Sequence, residues 1–220
     1  VSLLSPFRRT RAPKHLAAPA ASPQDTRPGS AGEHLIQDRD DTRDRAERFY
    51  RTQFATALTP RMIEFISRME LAFIATSDSR GECDSSMRAG APGFIRVLGT
   101  STLAYPEYRG NGVLASLGNI AENPHIGIFL VDFTRDLIGL HVNGEARILT
   151  RQEMQLLDPG VPDETSPGRR AEHWVAVRVE EAYVHCSKHI PKLVPGPRVR
   201  HWGTDNPRHK GGDFFGVSGT

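Results

Sequence analysis

The 220-residue sequence predicts a mainly β protein with flanking helices, built as an antiparallel barrel. Three observations lead there. About six short apolar or alternating segments succeed one another after residue 70, separated by tight turns. Only small helices are interleaved with them, which disfavours a doubly wound parallel sheet. The region also contains neither G-x-G-x-x-G nor G-K-[ST], so the usual dinucleotide and P-loop signatures are missing.

The chain reads as an arm, a core and a tail. Residues 1–32 are rich in Pro, Ala, Ser and Arg, and the first acidic residue is Asp25. Pro6, Pro13, Pro19 and Pro23 would interrupt an amphipathic leader helix. A disordered basic arm is therefore expected, or a translation start upstream of the functional chain. Residues 33–69 are expected to be helical. In DRDDTRDRAERF, charges recur at helical spacing, as in Asp44 with Arg48, while Ala46, Phe49, Tyr50 and Phe54 share one face. A second helix starts at Thr59-Pro60, with Thr59 as N-cap and Pro60 at the first helical position. Met62, Ile63, Phe65, Ile66 and Met69 form its buried stripe.

The barrel is expected over residues 70–195. LAFIATS (71–77) is a short apolar strand, closed by the turn Asp78-Ser79-Arg80-Gly81. CDSSM, a Gly/Pro loop RAGAPG and the strand FIRVL (94–98) follow, then TLAYP (102–106). EYRGNG (107–112) reads as a loop and VLASLGNIAEN (113–123) as a short helix ended by Asn123-Pro124. HIGIFLVDF (125–133) is strongly apolar, and burying its run from Ile126 to Leu130 could require a partner subunit. LIGLHVNGEARIL (137–149) alternates, a short helix spans about 151–157, and HWVAVRVEEAYVHC (173–186) is the last long strand. Residues 196–220 form a Gly-rich tail, whose RHKGGDFFG stretch is expected to be flexible or folded over a neighbour.

Composition narrows the class. Hydrophobic residues make up 38%, and no apolar run approaches the roughly 20 residues of a membrane helix. Cys83 and Cys186 are too few for a disulfide framework or a four-cysteine zinc site, so a reduced, cytoplasmic chain is expected. A net charge of +2 does not call for nucleic acid. The basic residues are 24 Arg and 4 Lys, which a GC-rich bacterial genome explains.

Three clusters could carry chemistry. Asp84-Ser85-Ser86-Met87-Arg88-Ala89-Gly90 puts hydroxyls, amides and a guanidinium at a strand end, suited to phosphate or carboxylate, or simply a solvated turn. Pro106-Glu107-Tyr108-Arg109-Gly110-Asn111-Gly112 connects a strand to a helix. Its glycines permit close approach, and Arg109 and Asn111 add directed donors; an exposed tight connection is the plainer reading. His185-Cys186-Ser187-Lys188-His189 suggests a metal only superficially, because alternate strand residues face opposite ways; Lys188 suits an anion better. His141 could reach a ligand or line a dimer interface. Trp174 and Trp202 could cover an aromatic cofactor, though core packing is the default, and Asp132 and Asp136 look solvated. No catalytic residue is identified.

At these same residues the sequence resembles the pyridoxamine 5′-phosphate oxidase-related family of FMN-binding split barrels. The pieces are DSSMRAGAPGFIRVL, TLAYPEYRGNGVLASLGNIAENPHIGIFLVDF, LHVNGEARIL and VEEAYVHCSKHIPK, in that order. The resemblance implies an antiparallel split β-barrel and a homodimer with FMN at the subunit interface. It implies that Ser86, Met87 and Arg88 pass the FMN. Tyr105 and Pro106 would lie beside the ring or ribityl chain, Arg109 and Asn111 in the phosphate loop, and Lys188 at a late basic position. The implied activity is an FMN-dependent oxidoreductase acting on a small molecule. A deazaflavin (F420) reductase, or a non-catalytic flavin or haem binder, is the alternative on the same barrel. Vitamin B6 oxidation is not implied: Gly110-Asn111 replaces the oxidase's basic pair in the phosphate loop, and its closing substrate motif has no counterpart.

Overall fold

The structure, a computed structural model, describes residues 26–166, 168–197 and 199–217. Most of the expected basic arm, and the last three residues of the tail, lie outside the described residues. The chain divides into two compact units between Phe54 and Ala55.

The first unit holds α1 (Ala31–Arg39) and α2 (Arg43–Gln53). Ser30 caps α1 in a capping box with Glu33. The charged stretch is interrupted at Asp41, whose φ of +52° is left-handed. The charge pairs therefore differ from those expected: Arg43 forks onto Asp38 at 2.9 and 2.8 Å across the interruption. Gln37 donates to the Tyr50 hydroxyl at 2.8 Å, and Tyr50 packs edge-on to Phe54. Phe54–Ala55 form a two-residue strand, β1.

In the second unit, α3 (Pro60–Ser67) starts as its sequence dictates, with the Thr59 hydroxyl accepting from the Met62 amide. Phe65, Ile66 and Met69 are buried, with Met62 and Ile63 leaning on the same core. The strands are β2 (Leu71–Ser77), β3 (Cys83–Ala89), β4 (Arg96–Gly99), β5 (Thr102–Tyr108), β6 (His125–Asp132), β7 (Ile138–Leu149) and β8 (Ala171–His185). Helix α4 (Ala115–Glu122) joins β5 to β6, and α5 (Arg151–Leu157) joins β7 to β8. The strand order is β3-β2-β6-β7-β8-β5-β4, every neighbouring pair antiparallel. The edge strands β3 and β4 do not pair, so the barrel is split, as expected.

Alternation along the strands builds the core. Ala72 and Ile74 of β2, Ile126, Ile128 and Leu130 of β6, Leu140 and Val142 of β7, and Leu103 and Tyr105 of β5 face inward. Of the run Ile126–Leu130, the residues Ile126, Ile128 and Leu130 are the inward set of a period-two strand and are covered by their own barrel, whereas Phe129 faces outward opposite Phe73 and His141. A second cluster packs Ala104, Leu149, Met154, Val161, Trp174 and Ala176 on the opposite face of β5 and β8.

Three local departures matter for the site. Strands β3 and β5 each run two residues beyond their expected ends, so Arg88 pairs in register with Ala72 and Glu107 with His173. Phe94 and Ile95 are buried in the loop, and β4 begins only at Arg96. Asp132 is 4% exposed instead of solvated. Its carboxylate accepts from the amides of Thr134 and Arg135 at 2.9 Å and of Asp136 at 3.2 Å, and from Arg68 at 2.6 Å. Helix α4 is fastened to β2 by Asn119 donating to Thr76 and Asn123 donating to Ser77, at 3.0 and 2.9 Å. Among the described residues no helix is long and apolar enough to cross a membrane.

Candidate functional site

Strands β3 and β5 are not neighbours in the sheet, yet their side chains meet across the split. Arg88 donates from Nε and Nη2 to one carboxylate oxygen of Glu107, at 2.8 and 2.7 Å. Its Nη1 donates to the Ser86 hydroxyl at 2.8 Å and to the Met87 carbonyl at 3.3 Å. The Ser86 hydroxyl lies 3.2 Å from that of Ser116 on α4, which donates to Asp84 at 3.1 Å. Arg88 and Glu107 side chains are only 16% and 13% exposed. Burial pushes the Glu107 carboxyl up, and the adjacent guanidinium offsets part of that.

Tyr105 shares this inward face, with the Arg88 guanidinium 6.0 Å from its ring centre. Its hydroxyl is buried and makes no hydrogen bond among the described residues. Burial, then the charge of Glu107, pushes the phenol up, so it stays a protonated donor.

The next residues of β5 face the other way. Pro106 and Tyr108 line a cavity of about 230 Å³ with Phe94, Trp174 and Trp202, and with Arg96, Arg151, Arg169 and Arg170. Beyond the strand, Arg109 and Asn111 line a second cavity, of about 400 Å³, with Arg200, His201, His209 and Lys210 of the tail. The two cavities adjoin, sharing Tyr108 and Trp202, whose rings meet edge-on at 5.2 Å. Arg109 donates to Asp205 at 2.7 Å and to the Gly203 carbonyl at 3.2 Å. The Asn111 side-chain oxygen accepts from the Val113 amide at 3.0 Å, which turns the chain towards α4. Gly112, at φ +85°, carries the left-handed step that this turn requires; Gly110 has no such role. Leu114 caps α4 at φ +55° without a side-chain cap bond.

The eight residues singled out from sequence fall into five places. Ser86, Arg88 and Tyr105 converge inside the split, and Pro106 lines the aromatic cavity. Arg109 and Asn111 line the cationic one. Met87 points outward and is 58% exposed, opposite Phe73. Lys188 lies in a 3₁₀ turn (Ser187–His189) past the end of β8, whereas Arg109 lies beside that strand's start, where Tyr108 pairs with Ala171. Fifteen residues of β8 separate the two ends, roughly 45 Å if straight.

On the outer face, Met87, Phe73, Phe129, His141 and Tyr183 form one cross-strand row over β3, β2, β6, β7 and β8. His141 stacks on Phe129 and Tyr183 and lies 3.1 Å from His185, nitrogen to nitrogen. Burial, then the neighbouring His185, pushes the His141 imidazole down.

Sequence reasoning missed Ser116, and it placed Glu107 and Tyr108 in the candidate loop without a role for either. The alternation from Thr102 to Tyr108 was the available signal for a longer β5, and so for Glu107 facing inward and Tyr108 outward. Ser116 carried no signal, because its partners come from another strand.

This fold and arrangement define an antiparallel split barrel with an anion-suited loop at the end of one inner strand. The sequence pattern of pyridoxamine 5′-phosphate oxidase matches residues 58–186, more than half of the chain, and the chain belongs to that family. No curated protein matches. Similar solved structures include HupZ of Group A Streptococcus, 21% identical, covering 62% of this chain and 99% of that one with a TM-score of 0.43. HutZ, the heme storage protein from Vibrio cholerae, is 15% identical over 58% of this chain and 94% of that one, TM-score 0.37. General Stress Protein 26 from Bacillus anthracis is 13% identical over 56% and 88%, TM-score 0.40.

Proposed function

We propose that the chain binds FMN and acts, as a homodimer, as an oxidoreductase that passes a hydride or an electron pair between the flavin and a small molecule. One observation carries the reading: a cavity lined by Phe94, Tyr108, Trp174 and Trp202, and also by Arg96, Arg151, Arg169 and Arg170, adjoins one lined by Arg109, Arg200 and Lys210, and they share Tyr108 and Trp202. FMN offers a flat ring for the aromatic side chains and a phosphate for the guanidinium and amide donors. The residues present therefore fit the group, and family membership supports the choice.

In this reading Arg109 and Asn111 hold the phosphate. Pro106, Tyr108, Trp174 and Trp202 shield the flat part of the ligand from water. Arg88 acts through its strand, since its three nitrogens are already engaged by Glu107, Ser86 and the Met87 carbonyl. The bound flavin supplies the redox chemistry, and the protein supplies binding and orientation. The aromatic row on the outer face, with Phe73 37% and Met87 58% exposed, is the surface a second copy would cover. Lys188 would then join the site of the partner rather than that of its own chain.

Arg109→Ala tests the phosphate contact. It is expected to weaken FMN binding about tenfold and riboflavin binding hardly at all, because a charge-assisted hydrogen bond is lost only for the phosphorylated ligand. Fluorescence titration of both ligands measures this. Equal losses for both would remove the phosphate role.

A further inference from the structure

We propose that the cationic cavity is a phosphate site with a built-in competitor: the Asp205 carboxylate holds Arg109 in place of a phosphate monoester and leaves when one enters. This rests on the reading of Arg109 as the flavin-phosphate contact and adds the tail as the element that regulates it.

The tail is docked, not merely adjacent. Arg200 donates to the Gly90 carbonyl at 3.1 Å and to Glu70 at 2.9 Å. Trp202 packs against Tyr108 at 5.2 Å. The backbone of Gly203 approaches Gly168 so closely that a Cβ there would lie 2.0 Å from the Gly203 nitrogen. These contacts put Asp205 between two cations, 2.7 Å from Arg109 Nη2 and 3.5 Å from Lys210 Nζ.

The charges in the cavity are unequal. Its lining carries Arg109, Arg200 and Lys210 against the single carboxylate of Asp205. Arg200 is committed to Glu70, so Asp205 is the one carboxylate that both Arg109 and Lys210 contact, with Glu172 acting on Arg109 from outside the lining. His201 and His209, with rings 3.7 Å apart, add imidazole nitrogens to the same wall. A phosphate monoester brings about two charges and three terminal oxygens, and so can engage both cations and an imidazole at once. Asp205 cannot. Its side chain is 65% exposed, so the displaced carboxylate is readily rehydrated. Exposed ion pairs are weak, so the competition is modest: removing the carboxylate should tighten phosphate binding about two- to fivefold.

Titration of the 220-residue chain with inorganic phosphate at fixed ionic strength, followed by ³¹P line width, tests this. Asp205→Asn is expected to tighten phosphate about two- to fivefold and Lys210→Ala to weaken it by a similar factor. Glu82→Gln, on the remote β2–β3 turn, should leave it unchanged. An Asp205→Asn chain no tighter than the wild type, or an equal gain in Glu82→Gln, would overturn the competitor. If that happens while Arg109→Ala still loses FMN selectively, the flavin reading survives alone. If Asp205→Asn tightens phosphate while Arg109→Ala leaves FMN unaffected, the competitor stands and the flavin reading falls.

Discussion

Replacing Arg88 by methionine is expected to lower the stability of the fold by about 2–4 kcal/mol. The guanidinium bridges two strands that share no backbone hydrogen bonds, and both partners are largely buried. Methionine roughly keeps the packing volume but leaves Glu107 buried without its cation, and the burial that already pushes this carboxyl up is then unopposed by Arg88. The variant should therefore favour a protonated Glu107. Adding Glu107→Gln removes the uncompensated charge and is expected to recover about half of the loss, roughly 1–2 kcal/mol, as a double-mutant cycle in urea measures. A stable Arg88→Met chain that has lost only FMN affinity would mean that Arg88 is a ligand contact and not a clamp.

The second large effect is expected at Asp132. Its alanine variant should lose roughly 3–5 kcal/mol, because several donors converge on one buried carboxylate and are orphaned together. Burial alone would push this carboxyl up. The amides of Arg135, Thr134 and Asp136, with Arg68, outweigh burial and hold it well below the usual carboxylate range. The sign of the pH dependence follows. A carboxyl depressed in the folded state contributes stability above its unfolded value of about 3.9, and that contribution is lost as pH falls towards the folded value. The gap between wild type and Asp132→Ala should therefore narrow as pH is lowered from about 5 to about 3. A gap constant over that range would contradict the assignment.

These two residues also show what the sequence could and could not reveal. The strands were legible because alternation and turn residues are local: LAFIATS, HIGIFLVDF and the 137–149 run fall within a residue or so of β2, β6 and β7. Thr59-Pro60 was legible for the same reason. The Arg88–Glu107 pair was not, since it joins strands that are neighbours only after the barrel curls. Asp132 looked solvated because it sits in the polar stretch D-F-T-R-D, while the donors that bury it come from the turn backbone and from Arg68, distant in sequence. The interruption at Asp41 lacks a Gly or Pro to announce it. The RHKGGDFFG stretch of the tail was open between flexibility and folding over a neighbour; residues 200–205, which precede it, fold onto the loop that carries Arg109, through Trp202 and Asp205. The family resemblance pointed to Arg109 and Asn111, which line one cavity, but a motif cannot say that Arg88 is already engaged or that Lys188 lies at the far end of β8.

The central claim is that this barrel holds FMN. It is tested most directly by the absorption spectrum of protein purified without added cofactor, together with the mass of the ligand released by heat. The account predicts a flavin spectrum and the mass of FMN, or, for a colourless preparation, saturable FMN binding that Arg109→Ala weakens. A deazaflavin or haem in its place, or a folded chain that binds no FMN, would contradict it.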